Sequence, residues 1–176
     1  LSASMLDGKK MNNLYLDCNS FIYEAHQIAH NNQNNVFKTM NGKTTDYKSA
    51  FEDDIIKQVV KNLSKCINEI GPDKRIFIAF DGVAPMAKLD QQRNRRYMTA
   101  FQEQTKPLDE TNDSNNKYNW NRSSITPGTT FMYNLGVELT KRFSNPSEYG
   151  VEKIIVSTSE EAGEGEHKLY DYIRNN

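Results

Sequence analysis

The spacing of apolar side chains changes period several times along this chain, and the changes divide it into strands and helices. Short apolar runs at residues 12–17 (NNLYLD), 75–80 (RIFIAF) and 151–159 (VEKIIVSTS) each predict a strand. Residues 18–30 carry Phe21, Ile22, Ala25 and Ile28 at helical spacing and predict a helix with these side chains inward. From Tyr47 a longer stripe runs through Phe51, Ile55, Ile56, Val59, Val60, Leu63, Cys66, Ile67 and Ile70 in steps of three and four, until Gly71 and Pro72 stop it. A further helix follows Pro85. Another has Thr126 as its N-cap and Pro127 as its first residue and ends near Phe143, and the last starts with GEHKLYDYIR. Two polar stretches without periodicity, about 30–47 and 103–124, predict loop inserts, the first asparagine-rich and mobile. The order of elements predicts an α/β fold, a mostly parallel sheet flanked by helices, formed by residues 1–176 as a single domain.

Composition narrows the class. A chain of 176 residues is long enough to bury a real core, although 36% hydrophobic content and a mean hydropathy of -0.79 put it at the polar end of globular proteins. With a net charge of -1, anion binding has to come from a local cluster rather than a generally basic surface. Cys18 and Cys66 are far apart and lack metal-ligand spacing, so they read as reduced core thiols of an intracellular protein. No apolar run approaches the length of a membrane span and the opening LSASMLDGKK has no apolar signal core, which predicts a soluble protein with no membrane partner.

The chemistry lies at the strand ends. Asp17 closes the first strand, Asp81 follows the second, and Glu164 and Glu166 lie in the glycine-bearing loop after the third. In a parallel sheet these ends share one edge, the edge where open α/β sheets bind ligands. Four carboxylates meeting there suit two Mg2+ or Mn2+ ions, because hard cations prefer oxygen donors. A single aspartate at a strand end is usually a turn or cap residue; repetition in three segments sets this pattern apart. Just beyond Asp81, Lys88, Gln92, Arg95 and Arg96 fall within about a third of a helix circumference. Tyr97, Ala100 and Phe101 fall mostly on the other side, available to the core. A solvated surface helix would place acids three or four residues from its cations, and here they are scarce. The basic face therefore predicts a phosphate site beside the acids.

The segments NLYLDCNS, IAFDGVAPMAKLDQQRNRRY, SSITPGTTFM and AGEGEHKLYDYIR closely resemble, in order, the N-terminal catalytic segment of the 5′→3′ exoribonucleases of the Xrn type. The resemblance implies a core related to PIN-like and flap-type nucleases. It makes Asp17, Asp81, Glu164 and Glu166 metal-site carboxylates and gives Lys88, Gln92, Arg95 and Arg96 the pocket for a 5′-monophosphate. Asn19 then supports the metal site and Tyr23 stacks on a base. The implied activity is processive hydrolysis of 5′-monophosphorylated single-stranded RNA to nucleoside monophosphates, with Mg2+ or Mn2+ as cofactor, in RNA decay and in the cytoplasm rather than the nucleus.

Several features depart from the family's pattern. Tyr23 stands where the family usually has histidine, Met86 stands where arginine is common, and the family's Met-Gly-(Ile/Val)-Pro opening is not visible. The later aspartates that complete the family's metal site are not in this chain, which predicts a partial domain and keeps open a catalytically incomplete RNA-binding or scaffold module of the same fold. A flap-type DNA nuclease would use similar acids, but the pairing of QQRNRR with GEGEHK fits the RNA enzymes better. His26 and His30 read as exposed residues of an amphipathic helix, Trp120 as a loop anchor, and His167 as a hydrogen-bonding support rather than a general base.

Overall fold

The computed structural model describes residues 11–32, 47–105 and 120–176. The undescribed stretches, 1–10, 33–46 and 106–119, include most of both polar inserts, so the mobility expected of the first lies outside the described residues. The described chain runs β1 (Asn13–Asp17), α1 (Asn19–Asn31), α2 (Tyr47–Ile70), β2 (Arg75–Ala79), α3 (Met86–Thr105), α4 (Thr130–Arg142), β3 (Lys153–Ser157) and α5 (Gly165–Asn175). The three strands are parallel in the order β1-β2-β3 and flanked by helices, the α/β architecture expected.

Strand alternation sorts the side chains onto two faces. Leu14, Ile76, Ile78 and Phe80 point into the main core, where they meet Ile22, Ala25 and Ala29 of α1, Phe51, Ile55, Val59, Leu63 and Ile67 of α2, and Leu135 and Leu139 of α4. Tyr15 and Phe77 point the other way, onto Tyr172 of α5, with ring centroids 6.3 and 4.8 Å from it. Among the described strands only β2 is buried on both faces, which is why its sequence is an unbroken apolar run. Helix α2 ends where Gly71 takes φ +62 and donates to Ile67 O at 2.8 Å, with Pro72 following. No helix among the described residues is long and apolar enough to cross a membrane.

Four expectations need correction. Helix α4 starts at Thr130 rather than Pro127, because Gly128 takes φ +84, a value that a helix cannot propagate. Thr129 is the cap, its hydroxyl accepting from the Met132 N–H. On α3, Tyr97 and Phe101 are exposed, and no described side chain of that helix belongs to the core, so its apolar side is not turned inward. Phe21 and Ile28 of α1 are only half-buried, and Ala29 takes the inward position. His26 is buried rather than exposed, because Trp120 covers it at a ring-centroid distance of 5.4 Å. Burial and the nearby Arg122 and His30 hold its pKa below the usual histidine value.

Trp120 anchors the end of the second insert as expected. It is 3% exposed, sits edge-on to Phe51 and Phe131, and donates its indole N–H to Glu52 at 3.0 Å.

The turn after β2 and the loop after β3 touch at Gly82, where a β-carbon would overlap the Glu161 carbonyl oxygen. Gly82→Ala should therefore lower stability by roughly 1–3 kcal/mol, read as a lower urea midpoint at unchanged slope. An unchanged midpoint would show that the two loops separate without cost.

Candidate metal and phosphate site

Parallel register brings the acids together. Asp17, Ala79 and Ser157 form one row across the sheet, so the three strands finish level. Beyond that row the ladder continues for one rung, with Cys18 N–H donating to Ala79 O and Phe80 N–H to Ser157 O, each at 2.9 Å. The strands then diverge. Asp81 lies at the turn into α3, while the chain after Ser157 loops round to α5, whose first turn carries Glu166 next to the N-cap residue Glu164.

Asp81 is the most tightly held of the four acids. One of its oxygens accepts from the Asn19 side-chain amide, and the Asp81 backbone N–H donates back to the Asn19 amide oxygen at 3.2 Å. Its other oxygen, Oδ1, accepts from the Gly165 N–H at 2.7 Å, at the N-terminus of α5 where the helix dipole favours negative charge. Glycine is needed at 165, since a β-carbon there would stand 2.6 Å from Asp17 Oδ1. This contact also places Asp17 against the same helix end.

Glu164, Glu166 and His167 each offer a ligand atom, all within 4.8 Å of one another. His167 Nδ1 lies 3.4 Å from Glu164 Oε2. The same oxygen accepts from Lys88 Nζ at 2.5 Å, so the first cation of the basic helix already reaches the acids, and this bond raises the lysine pKa. Gln92, Arg95 and Arg96 follow on α3 four, seven and eight residues later, on the side of the helix that Lys88 occupies. Their side chains lie outside the described residues. Tyr23 is one turn beyond Asn19 on α1 and 47% exposed.

The donor set fits hard divalent cations: all four acids supply oxygen, and their mutual repulsion is a cost that such cations would relieve. Asp17 records that cost. Packing strips water from its carboxyl, and Asp81 repels its charge, as do Glu166 and Glu164 more weakly, so its pKa is raised above the ordinary 3.8. Cys18 beside it is buried, and that burial pushes its thiol pKa far up, which rules out a thiolate at neutral pH.

Lys168 is a residue of the site that the sequence pattern does not single out. Its Nζ donates to Phe80 O and to Thr158 O, each at 2.8 Å, and burial lowers its pKa while Glu161 and Asp81 oppose the shift. The available signal was its position four residues after Glu164, on the helix face that Glu164 begins.

The chain matches the family model described as XRN 5′-3′ exonuclease N-terminus over residues 2–176. It is 33% identical over 172 residues to 5′-3′ exoribonuclease 1 of Saccharomyces cerevisiae, an alignment covering 94% of this chain and 10% of that protein. It is 32% identical over 195 residues to 5′-3′ exoribonuclease 2 of Schizosaccharomyces pombe, covering 99% and 18%. A third relative, 5′-3′ exoribonuclease 2 of Aspergillus fumigatus, is 32% identical over 190 residues, with 96% and 16% covered. The chain thus spans between 10% and 18% of the length of these relatives.

Because Asp17 ionises at higher pH in the fold than in the unfolded chain, the native state holds more protons above pH 3.8. Stability contributed at this site therefore falls as pH rises through that window, and the loss persists at neutral pH. In chelator at pH 7, Asp17→Asn should raise Tm by roughly 2–4 °C, a gain that shrinks below pH 4. A lower Tm in calorimetry would contradict the crowding account.

Proposed function

Because the chain belongs to the XRN 5′-3′ exonuclease N-terminal family, we propose that it forms the metal and phosphate site of a 5′→3′ exoribonuclease. Its substrate is single-stranded RNA with a 5′-monophosphate, and its products are nucleoside monophosphates. The observation that carries this reading is the contact between Lys88 and Glu164, which joins the basic helix to the carboxylate cluster at one sheet edge. A nuclease acting from an end needs this adjacency, since it has to hold a terminal phosphate within reach of the acids that serve the next phosphodiester bond.

Asp17, Asp81, Glu164 and Glu166 would hold the divalent cations, Mg2+ or Mn2+. When bound, such ions supply the charge that activates a water and stabilises the leaving oxygen. Asn19 orients Asp81, and the Gly165 N–H fixes its second oxygen. Lys88, Gln92, Arg95 and Arg96 take the terminal phosphate through charge-assisted hydrogen bonds, to which a 5′-hydroxyl offers no anion. Tyr23, exposed one turn beyond Asn19, offers an aromatic face to the first base.

Degradation of matched 5′-monophosphate and 5′-hydroxyl RNA by the complete protein, with Mg2+ and with chelator, tests the reading. Loss of the phosphorylated RNA alone, and only with metal, is expected. Phosphate-selective binding without cleavage would instead identify a binding module, and equal cleavage of matched DNA would point to the flap-type class. Asp81→Asn should cut kcat by at least 100-fold while leaving binding of phosphorylated RNA in chelator within about threefold, since its effect falls on the metal ions. Arg95→Ala or Arg96→Ala should reduce the preference for phosphorylated over hydroxyl RNA by roughly 10-fold. Equal loss on both RNAs would remove these arginines from the phosphate pocket.

A further inference from the structure

Lys168 stands among carboxylates, yet the hydrogen bonds described for it go to main-chain carbonyl oxygens. Asp81 and Glu161 are near enough to influence its charge, while Lys88 supplies the hydrogen bond to Glu164. The Lys168 ammonium lies instead between Phe80 O and Thr158 O, 2.8 Å from each. These carbonyls belong to the residues immediately after β2 and β3, one residue before Asp81 and at the start of the loop that leads to Glu164. The last ladder bond between the strands is Phe80 N–H to Ser157 O. Past it the backbones part until Gly82 and Val83 pair with Gly163, and between those two points the Lys168 ammonium bridges the gap. The Lys168 N–H also donates to Glu164 O at 3.0 Å within the first turn of α5. One residue thereby connects the end of β2, the end of β3 and the start of α5, which together carry Asp81, Glu164 and Glu166.

We propose that Lys168 is a positioning residue, whose ammonium clamps the diverging ends of β2 and β3 and so sets the spacing between Asp81 and the Glu164–Glu166 pair. The proposal rests on the metal-site reading above. An ammonium suits the task because it is compact and presents tetrahedral donors, where a guanidinium is a wide planar fork. Bonding to carbonyls also leaves the Asp81 oxygens to Asn19, the Gly165 N–H and a cation. Partners that hold metal ligands in place typically account for 10–100-fold in metal affinity or activity.

The test is titration of the complete protein with Mn2+ alone, followed by electron paramagnetic resonance, alongside steady-state kinetics on 5′-monophosphorylated RNA. Lys168→Met removes the donors, and Lys168→Gln, shorter by one atom, reaches only one carbonyl. Both should weaken Mn2+ affinity by roughly 10-fold or more and lower kcat in step, with KM for RNA within about threefold of wild type and part of the rate regained at high Mn2+. Lys168→Gln decides the matter should Lys168→Met fail to fold. A folded variant with a lowered Tm but wild-type Mn2+ affinity would make Lys168 a stabilising residue only and overturn the proposal. A wild-type protein that binds no Mn2+ overturns it together with the metal site. One that binds Mn2+ but leaves RNA intact defeats the exoribonuclease reading alone, and the affinities still decide the role of Lys168.

Discussion

Carboxylates held side by side repel, and the edge of this sheet is arranged around that repulsion. Two unit charges 4 Å apart near a protein surface oppose each other by about 4 kcal/mol, and more weakly at longer range; Asp17 is repelled by Asp81, Glu166 and Glu164 together. The opposing stabilisation comes from the core behind them. Phe51, Ile55, Ile56, Val59, Leu63 and Ile67 of α2 are all buried, and six such side chains supply roughly 10–20 kcal/mol of hydrophobic stabilisation as an upper estimate. That core holds the strands in parallel register, and the register holds the acids level. The cost thus falls at the strand ends, while its compensation comes from a helix that carries none of the four acids.

Fine adjustment comes from polar contacts rather than from packing. The Asn19 amide and the Gly165 N–H take separate oxygens of Asp81, which leaves that carboxylate little freedom to rotate away from its neighbours. Lys88 and His167 both approach one oxygen of Glu164. Backbone bonds between the loops, Gly82 N–H to Gly163 O and Gly163 N–H to Val83 O, keep the turn after β2 against the loop after β3. All of these except the His167–Glu164 approach join residues distant in sequence, so they form only once the sheet has brought its ends together.

Much of this architecture was legible in the sequence because period and burial coincide. The run RIFIAF reads as a strand covered on both faces, and β2 is one; the α2 stripe likewise matches a buried face. Legibility failed where one side chain's environment depends on a distant segment. His26 looked exposed because nothing local shows that Trp120, 94 positions later, lies over it. The apolar positions of α3 looked core-facing because spacing identifies a face without identifying what lies opposite. At the site, strand-end position pointed to Asp17, Asp81, Glu164 and Glu166, whereas the spacing of Lys168 from Glu164 shows a shared helix face but not its bonds to two carbonyls.

The aromatic corner formed by Trp120, His26, Phe51 and Phe131 has a practical consequence. Trp120 is the chain's sole tryptophan, and it is buried against an imidazole whose pKa its surroundings hold below the usual histidine value. Its ultraviolet emission therefore comes from one place, where α1, α2 and α4 meet the end of the second insert. Acid that protonates His26 would quench that emission, and loosening of the corner would shift it to the red. The protein carries a built-in optical gauge of its interior that requires no label.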